Sequence, residues 1–232
     1  MISVRKAEER GRTDWDWLDS RHTFSFGDYF DPKNHGFGPL RVINDDRVAP
    51  GGGFDTHPHR DMEILSYVLD GALQHRDSTG GGGVIRPGEI QFMRAGRGVL
   101  HSEFNASKTE PVHFLQVWII PAEKGLAPGY AQKPFDREAA RTAPLLLASR
   151  DGRDGSIHVR QDADLWLLRP ADGSRQELPL SGRRKAWVHV ARGSAEVNGL
   201  AFSEGDGAAL TAEESVAVTG TDDAEVLVFD LG

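Results

Sequence analysis

The chain contains no cysteine among its 232 residues. This absence excludes disulfide bonds, a thiolate metal site and a cysteine nucleophile. Any bound metal must therefore be held by nitrogen and oxygen ligands. A cysteine-free sequence also suits a reducing compartment, so we expect a cytoplasmic protein.

Positive charge and long apolar runs are lacking as well. The formal net charge is -8, which argues against direct binding to nucleic acid, because protein surfaces that bind it are usually basic. No apolar run approaches the ~20 residues that span a bilayer, and the first ten residues lack the apolar core of a secretory signal. We therefore expect neither a nucleic-acid partner nor a membrane partner.

Helical periodicity is scarce. The clearest helical candidate, residues 136–141, lies between Pro134 and Pro144 and so cannot extend far. Short runs of β-branched, aliphatic and aromatic residues alternate instead with glycine and proline turns, which is typical of a sandwich or barrel. Examples of these runs are residues 64–69, 113–120 and 225–229. The sequence therefore predicts an all-β fold.

The composition changes over residues 125–148, which predicts two domains, residues 1–130 and residues 145–232. The two halves echo each other, since Gly71 and Gly193 each separate two strand-like runs that we interpret as a hairpin. A duplicated fold is one interpretation, and the chance occurrence of glycine turns in any β protein is the other. In the second half neither His158 nor His189 has a metal-binding residue two positions on, so we expect the chemistry in the first half.

Two polar doublets stand out in the first half, His57-Pro58-His59 and His101-Ser102-Glu103. Residues two apart on a strand point to the same face. Two such strands facing each other inside a barrel would present three imidazoles and one carboxylate to a single point. That donor set suits a divalent transition metal and predicts an oxygen-using or hydrolytic metal site.

Longer motifs surround these doublets, and they resemble the pirin family of bicupins, with the bacterial pirin-like quercetin 2,3-dioxygenases most similar. The motifs are the stretches at residues 22–32, 40–46, 57–63 and 95–103. The resemblance implies two jelly-roll β-barrel domains packed together, an N-terminal metal-binding cupin domain and a C-terminal degenerate cupin domain without metal ligands. It also implies that a divalent metal, with Fe²⁺ expected and Zn, Ni, Cu, Co or Mn as alternatives, is bound by His57, His59, His101 and Glu103.

The carboxylate ligand has two candidates. Ordinary cupins use the position of Glu63, whereas the pirin-like pattern places the ligand at Glu103 and leaves Glu63 beside the pocket or behind a ligand. The resemblance further implies a dioxygenase that opens a flavonol such as quercetin with O2 and releases carbon monoxide. Glu103 would be the catalytic residue that accepts the enolic proton.

Two other functions use the same fold. One is a metal- or redox-dependent regulatory protein that binds a cytosolic protein partner, and the other is a cupin isomerase or sugar-binding protein. We expect a monomer in solution.

The remaining polar and aromatic residues are interpreted as structural. We expect packing, capping or solvent-facing roles for the other histidines, with an approach to the pocket as the alternative for His22. We interpret residues 80–83 as the tip of a hairpin. Phe92 or Met93 is expected to line the substrate slot. The structural interpretation covers His22, His35, His75, His113, His158 and His189, together with Phe24, Phe26, Tyr29 and Phe30.

Overall fold

The computed structural model describes residues 1–182 and 184–232, and these form an almost entirely β protein, as the sequence predicts. Three short 3-10 segments interrupt the strands, at Ala7–Glu9, Ala139–Arg141 and Arg153–Gly155. The second coincides with the single helical turn expected before Pro144. None of the helical segments in the described residues has the length and apolar character needed to cross a bilayer.

Twenty strands are found in the described residues. They are β1 (Ile2–Arg5), β2 (Gly11–Trp15), β3 (Leu18–His22), β4 (Leu40–Val48), β5 (Gly53–His59), β6 (Glu63–Asp70), β7 (Leu73–Asp77), β8 (Gly82–Ile85), β9 (Glu89–Arg94), β10 (Val99–Asn105), β11 (Val112–Ile119), β12 (Gly129–Pro134), β13 (Leu145–Ser149), β14 (Ile157–His158), β15 (Ala163–Leu168), β16 (Arg175–Pro179), β17 (Lys185–Val197), β18 (Leu200–Ser203), β19 (Gly207–Leu210) and β20 (Ser215–Leu231).

The chain divides into two compact units. Residues 11–135 form one, here called the central unit, and residues 1–10 together with 136–232 form the other, the terminal unit. The first ten residues belong to the terminal unit because β1 pairs along its length with β19. The sequence-based division, by contrast, assigned residues 1–10 to the N-terminal domain.

The central unit is built from two sheets. A seven-stranded sheet has the order β12-β9-β6-β11-β4-β3-β2, and a four-stranded sheet has the order β5-β10-β7-β8. Strand β6 is buried on both faces, and its aliphatic and aromatic side chains explain why it occupies the middle of its sheet. In β10 buried and more exposed residues alternate, so one face of that strand points inward.

The terminal unit contains a nine-stranded sheet in which β17 and β20 are the long central pair. Its interior is a hydrophobic cluster that includes Val188, Val190, Phe202 and Leu210. Each such side chain contributes roughly 1.5–3 kcal/mol when fully buried.

The two expected glycine hairpins are not hairpins. Gly71 lies between β6 and β7, which belong to different sheets. Gly193 lies inside the single strand β17, at a register shift opposite β20. Its φ of 70° and the close approach of the Asp222 carbonyl oxygen require a residue without a side chain. Gly71 therefore marks a connection between two sheets, whereas Gly193 marks a bulge within one strand. By contrast, β7 and β8 do form the hairpin expected around residues 80–83.

Candidate metal centre

The two doublets lie on neighbouring strands of the four-stranded sheet. Strands β5 and β10 are antiparallel, with His57 directly opposite His101 and His59 opposite Val99. The sequence predicted strands that face each other across a barrel, whereas the structure pairs them side by side. The register shifts between His101 and Glu103, where three steps of β5 (His57 to Phe54) oppose two steps of β10. The extra residue therefore lies on β5, and the second doublet keeps its two-residue spacing.

Three imidazoles meet at this point. The rings of His57, His59 and His101 have centroids 4.4–4.8 Å apart, and one ligand atom from each lies within 4.8 Å of the others. A shared face on β5 and direct pairing with β10 account for this convergence.

The ring nitrogens show which atoms are available to a metal. His57 Nδ1 donates to the carbonyl oxygen of Asp55 at 2.7 Å, which leaves Nε2 with its lone pair. Nε2 of His59 and Nε2 of His101 are buried and have no hydrogen-bond partner among residues 1–182 and 184–232. Buried polar atoms normally have partners, so three Nε2 atoms in this position fit a divalent transition metal.

The electrostatic environment keeps two of these imidazoles neutral. Burial, followed by the charge of His57, lowers the pKa of His59 to about 4. Burial and the neighbouring histidines lower the pKa of His101 to about 2. Metal binding requires the neutral imidazole, and the site therefore favours the protonation state that a metal needs.

Glu103 is buried beside His101. Its Oε1 accepts a hydrogen bond from Ser66 at 3.3 Å and its Oε2 accepts one from Gln116 at 2.6 Å. Trp118 Nε1 in turn donates to Gln116 Oε1 at 3.1 Å, which fixes the orientation of that amide. Burial raises the pKa of Glu103 to about 7 against the lowering effect of these two hydrogen bonds.

Among the described residues, Glu103 is not in the group formed by His57, His59 and His101. It belongs to a second group of donors, in which one ligand atom each from His75, His101 and Glu103 lies within 4.8 Å of the others. Glu63 lies elsewhere, fully buried at the start of β6 in the seven-stranded sheet. Among the described residues, Glu63 is in neither donor group.

A cavity of about 320 Å³ opens onto His57 and His59. Its apolar wall includes Phe26, Phe54 and Trp118, and the Trp118 ring lies 4.8 Å from the His59 ring. Its polar wall includes Asp46 and Glu103. This volume is at the lower end of the ~300–1,000 Å³ usual for small-molecule sites. Neither Phe92 nor Met93 is among the described residues that line this cavity. The prediction that one of them lines the substrate slot was therefore wrong.

Two cavity residues were interpreted as packing from the sequence. His22 lines the cavity, with Nε2 2.8 Å from Thr13 Oγ1 and Nδ1 2.8 Å from Asn44 Oδ1. Phe26 packs edge-on against Trp118 with ring centroids 5.4 Å apart. Both belong to the motif at residues 22–32, and membership of that motif is the feature of the sequence that could have identified them as cavity residues.

Asp46 was not singled out from the sequence. It is buried, and its Oδ1 has no hydrogen-bond partner in the described part of the chain. Burial raises its pKa to about 7, opposed by a hydrogen bond from Ser20 and reinforced by Asp45 and Glu103. The cavity thus has two buried carboxyl groups, Asp46 and Glu103, near the histidine cluster.

Comparison with known proteins places this centre in a family. The Pirin family model matches residues 3–119, and the model of the quercetinase C-terminal cupin domain matches residues 146–231. A quercetin 2,3-dioxygenase of Escherichia coli strain K12 is 46% identical over 233 residues, covering 100% of this chain and 99% of the relative. A pirin-like protein of Caulobacter vibrioides is 37% identical over 231 residues, covering 99% of each.

A solved structure agrees with these sequence matches. The crystal structure of the E. coli bacterial pirin YhhW in complex with nickel(II) superimposes with a TM-score of 0.94 at 44% identity, covering 100% of this chain and 99% of that one. The resemblance and the bicupin architecture predicted from the sequence are confirmed. This chain belongs to the pirin family.

Proposed function

We propose that this protein is a metal-dependent dioxygenase that opens the ring of a flavonol such as quercetin with O2 and releases carbon monoxide. The main support is the group of three imidazoles formed by His57, His59 and His101, of which His57 and His59 line a cavity with aromatic walls. The name of the E. coli relative, quercetin 2,3-dioxygenase, supports the substrate class.

His57, His59, His101 and Glu103 are the proposed metal ligands, and Fe²⁺ is the proposed metal. Three nitrogen donors and one oxygen donor also suit Zn, Ni, Cu, Co and Mn, and a related bacterial pirin has been crystallised with nickel. A bound divalent metal would supply a Lewis acid that favours the deprotonated form of the substrate's enolic oxygen.

The cavity walls orient a flat polyphenol. Phe26, Phe54 and Trp118 offer apolar and edge-on aromatic contacts. Asp46, with its unpartnered Oδ1, offers a hydrogen-bond partner for a ring hydroxyl.

Glu103 is proposed to accept the enolic proton as well as to bind the metal. Its carboxyl group lines the same cavity, so it can reach a hydroxyl placed near the imidazoles. Gln116 and Ser66 hold its two oxygens in place, and the Trp118–Gln116 bond prevents the amide from turning away.

The test is an aerobic assay of the iron-loaded protein with quercetin, following the loss of flavonol absorbance. We expect turnover by the wild type and its loss in His57→Ala/His101→Ala. The matched control is His35→Ala/His158→Ala, which removes two exposed imidazoles and should keep full activity. Equal turnover by the wild type and His57→Ala/His101→Ala would exclude the proposal.

Product and metal are tested separately. Carbon monoxide trapped by ferrous myoglobin should appear in proportion to the quercetin consumed. Consumption without carbon monoxide would replace this reaction with another oxidation. Loading the metal-free protein with each of the six metals in turn should give the highest turnover with Fe²⁺.

The regulatory function, the monomeric state and the cytoplasmic location stay predictions. Light scattering of the purified protein tests the oligomeric state. Capture from native cytosol with Fe²⁺-loaded and Fe³⁺-loaded protein tests for a partner that depends on oxidation state.

A further inference from the structure

A buried histidine lies directly behind the candidate ligand His101. Strand β7 flanks β10 on the side opposite β5, and it places His75 across from Glu103 and Asp77 across from His101. His75 is fully buried, and its ring stacks on Tyr130 with centroids 5.1 Å apart and planes 25° apart. The spacing His75-Arg76-Asp77 repeats the two-residue spacing of the other doublets.

A chain of hydrogen bonds connects these residues. His101 Nδ1 lies 3.4 Å from His75 Nδ1, and His75 Nε2 lies 3.2 Å from Asp77 Oδ2. An ionised carboxylate only accepts, so His75 Nε2 carries a proton. Nδ1 of neutral His75 then accepts, and it must accept the proton on His101 Nδ1. The lone pair of His101 is thereby placed on Nε2, the buried atom without a partner.

Asp77 is itself held in place. Its Oδ1 accepts hydrogen bonds from Thr79 N at 2.8 Å, Thr79 Oγ1 at 2.6 Å and Gly81 N at 3.0 Å. A Cβ at position 81 would lie 2.3 Å from Asp77 Oδ2. The glycine in this hairpin tip therefore leaves room for the carboxylate that ends the chain.

We propose that His75 and Asp77 are positioning residues for His101, which fix its tautomer and the direction of its Nε2. This inference rests on the proposed metal site. Hydrogen-bond partners behind a metal-binding imidazole contribute typically about 10–100-fold to metal affinity.

The alternative is that His75 is itself a ligand, since it groups with His101 and Glu103. The hydrogen bonds favour the positioning role, because one ring nitrogen of His75 faces Asp77 and the other faces His101.

The experiment titrates metal-free protein with Ni²⁺ against a chelating dye. His75→Leu removes the acceptor and should weaken binding about 10–100-fold. Asp77→Asn removes the charge and should weaken binding less. His75→Gln should recover part of the affinity, because its amide oxygen can still accept from His101 Nδ1.

The matched control is His113→Gln. His113 forms a similar pair in the same unit, with Nε2 2.7 Å from Asp45 Oδ1, and His113 is in neither donor group. Its loss should leave the affinity for nickel unchanged. Wild-type affinity in His75→Leu would overturn the proposal, as would an equal loss in His113→Gln.

A second readout does not depend on metal. In the metal-free wild type, ¹⁵N NMR should show His101 as the Nδ1–H tautomer, and in His75→Leu a mixture. An Nε2–H tautomer in the wild type would overturn the proposal. If the loss of one imidazole from the nickel X-ray absorption spectrum accompanies His75→Leu, His75 is a ligand and the positioning role is wrong.

The outcomes also separate this inference from the proposed function. If the wild type takes up no nickel or iron, the metal site fails, and the tautomer measurement alone decides whether His75 and Asp77 fix His101. If the wild type binds metal and His75→Leu binds it equally well, only the positioning role fails.

Discussion

The interiors of the two units differ in chemistry although both are cupin-type β structures. In the central unit, the inward positions of β10 hold His101 and Glu103. In the terminal unit, the interior holds the hydrophobic cluster, which includes Val188 and Val190 of β17. Burying polar groups without full hydrogen bonding is unfavourable, so the central unit gives up stability for its donors. One architecture thus supports either a packed core or a site, depending on a few inward residues.

The largest expected effect tests the packed interior. Phe202→Ala removes a buried ring from the hydrophobic cluster and should lower the free energy of unfolding by about 3–5 kcal/mol, measured by urea denaturation. Leu200→Ala, on the same strand but 42% exposed, is the control and should change it by less than about 0.5 kcal/mol. Equal effects of the two substitutions would mean that the cluster is not close-packed.

The next effect tests the polar interior through pH. The folded state raises the pKa of Asp46 from 3.8 to about 7. Its stabilising contribution is therefore complete below pH 3.8 and is lost as the pH rises through about 7. Metal-free Asp46→Asn should escape this loss. Its free energy of unfolding should exceed that of the wild type at pH 8 by on the order of 4 kcal/mol, with no such gain at pH 4. A gain that does not depend on pH would contradict the raised pKa.

Metal binding should restore part of the stability that the central unit loses by burying its metal-binding side chains. Nickel at 100 times its Kd should raise the free energy of unfolding by about 2.7 kcal/mol, measured by denaturation with and without the metal. We expect no such rise in His57→Ala/His101→Ala and the full rise in His35→Ala/His158→Ala. A rise that survives the loss of His57 and His101 would place the metal elsewhere.

The smallest effect tests a buried carboxylate of the terminal unit. Burial acts to raise the pKa of Asp206, but hydrogen bonds from Lys6, Ser203 and Ala7 outweigh it and hold the pKa below its ordinary value. This contribution is present above the unfolded pKa of 3.8 and is lost as the pH falls through the folded pKa. Asp206→Asn should therefore lower stability at pH 7 by about 1–2 kcal/mol, and the difference should shrink in acid. A stabilising effect at pH 7 would show that burial prevails.

Strand parity and motif patterns predicted much of the central unit from the sequence. The rule that residues two apart share a face places His57 beside His59, because it depends only on backbone geometry. It did not reveal that β5 and β10 are neighbours, since sheet order is set by long-range packing. Gly193 illustrates a similar limit, because a bulge and a hairpin leave the same local sequence pattern.

The residues around the donors were harder to predict. His75 was assigned to packing although Asp77 follows it at the same spacing as in the other doublets, because its role depends on a strand paired from elsewhere in the chain. Asp46 looks like one of several acidic residues in a row, and only the fold makes it buried. Roles that come from a partner on another strand cannot be read from spacing alone.

The pairing of His57 opposite His101 has a consequence for the order of events during biogenesis. The ladder between β5 and β10 closes the 41 residues that separate His59 from His101, and it does so by pairing of the two strands. The entropy of that loop is therefore lost during folding rather than during metal uptake. The chain differs in this respect from small zinc modules, which fold only as they bind. Because strand pairing closes this loop, we expect the chain to keep its β structure when the metal is removed with a chelator.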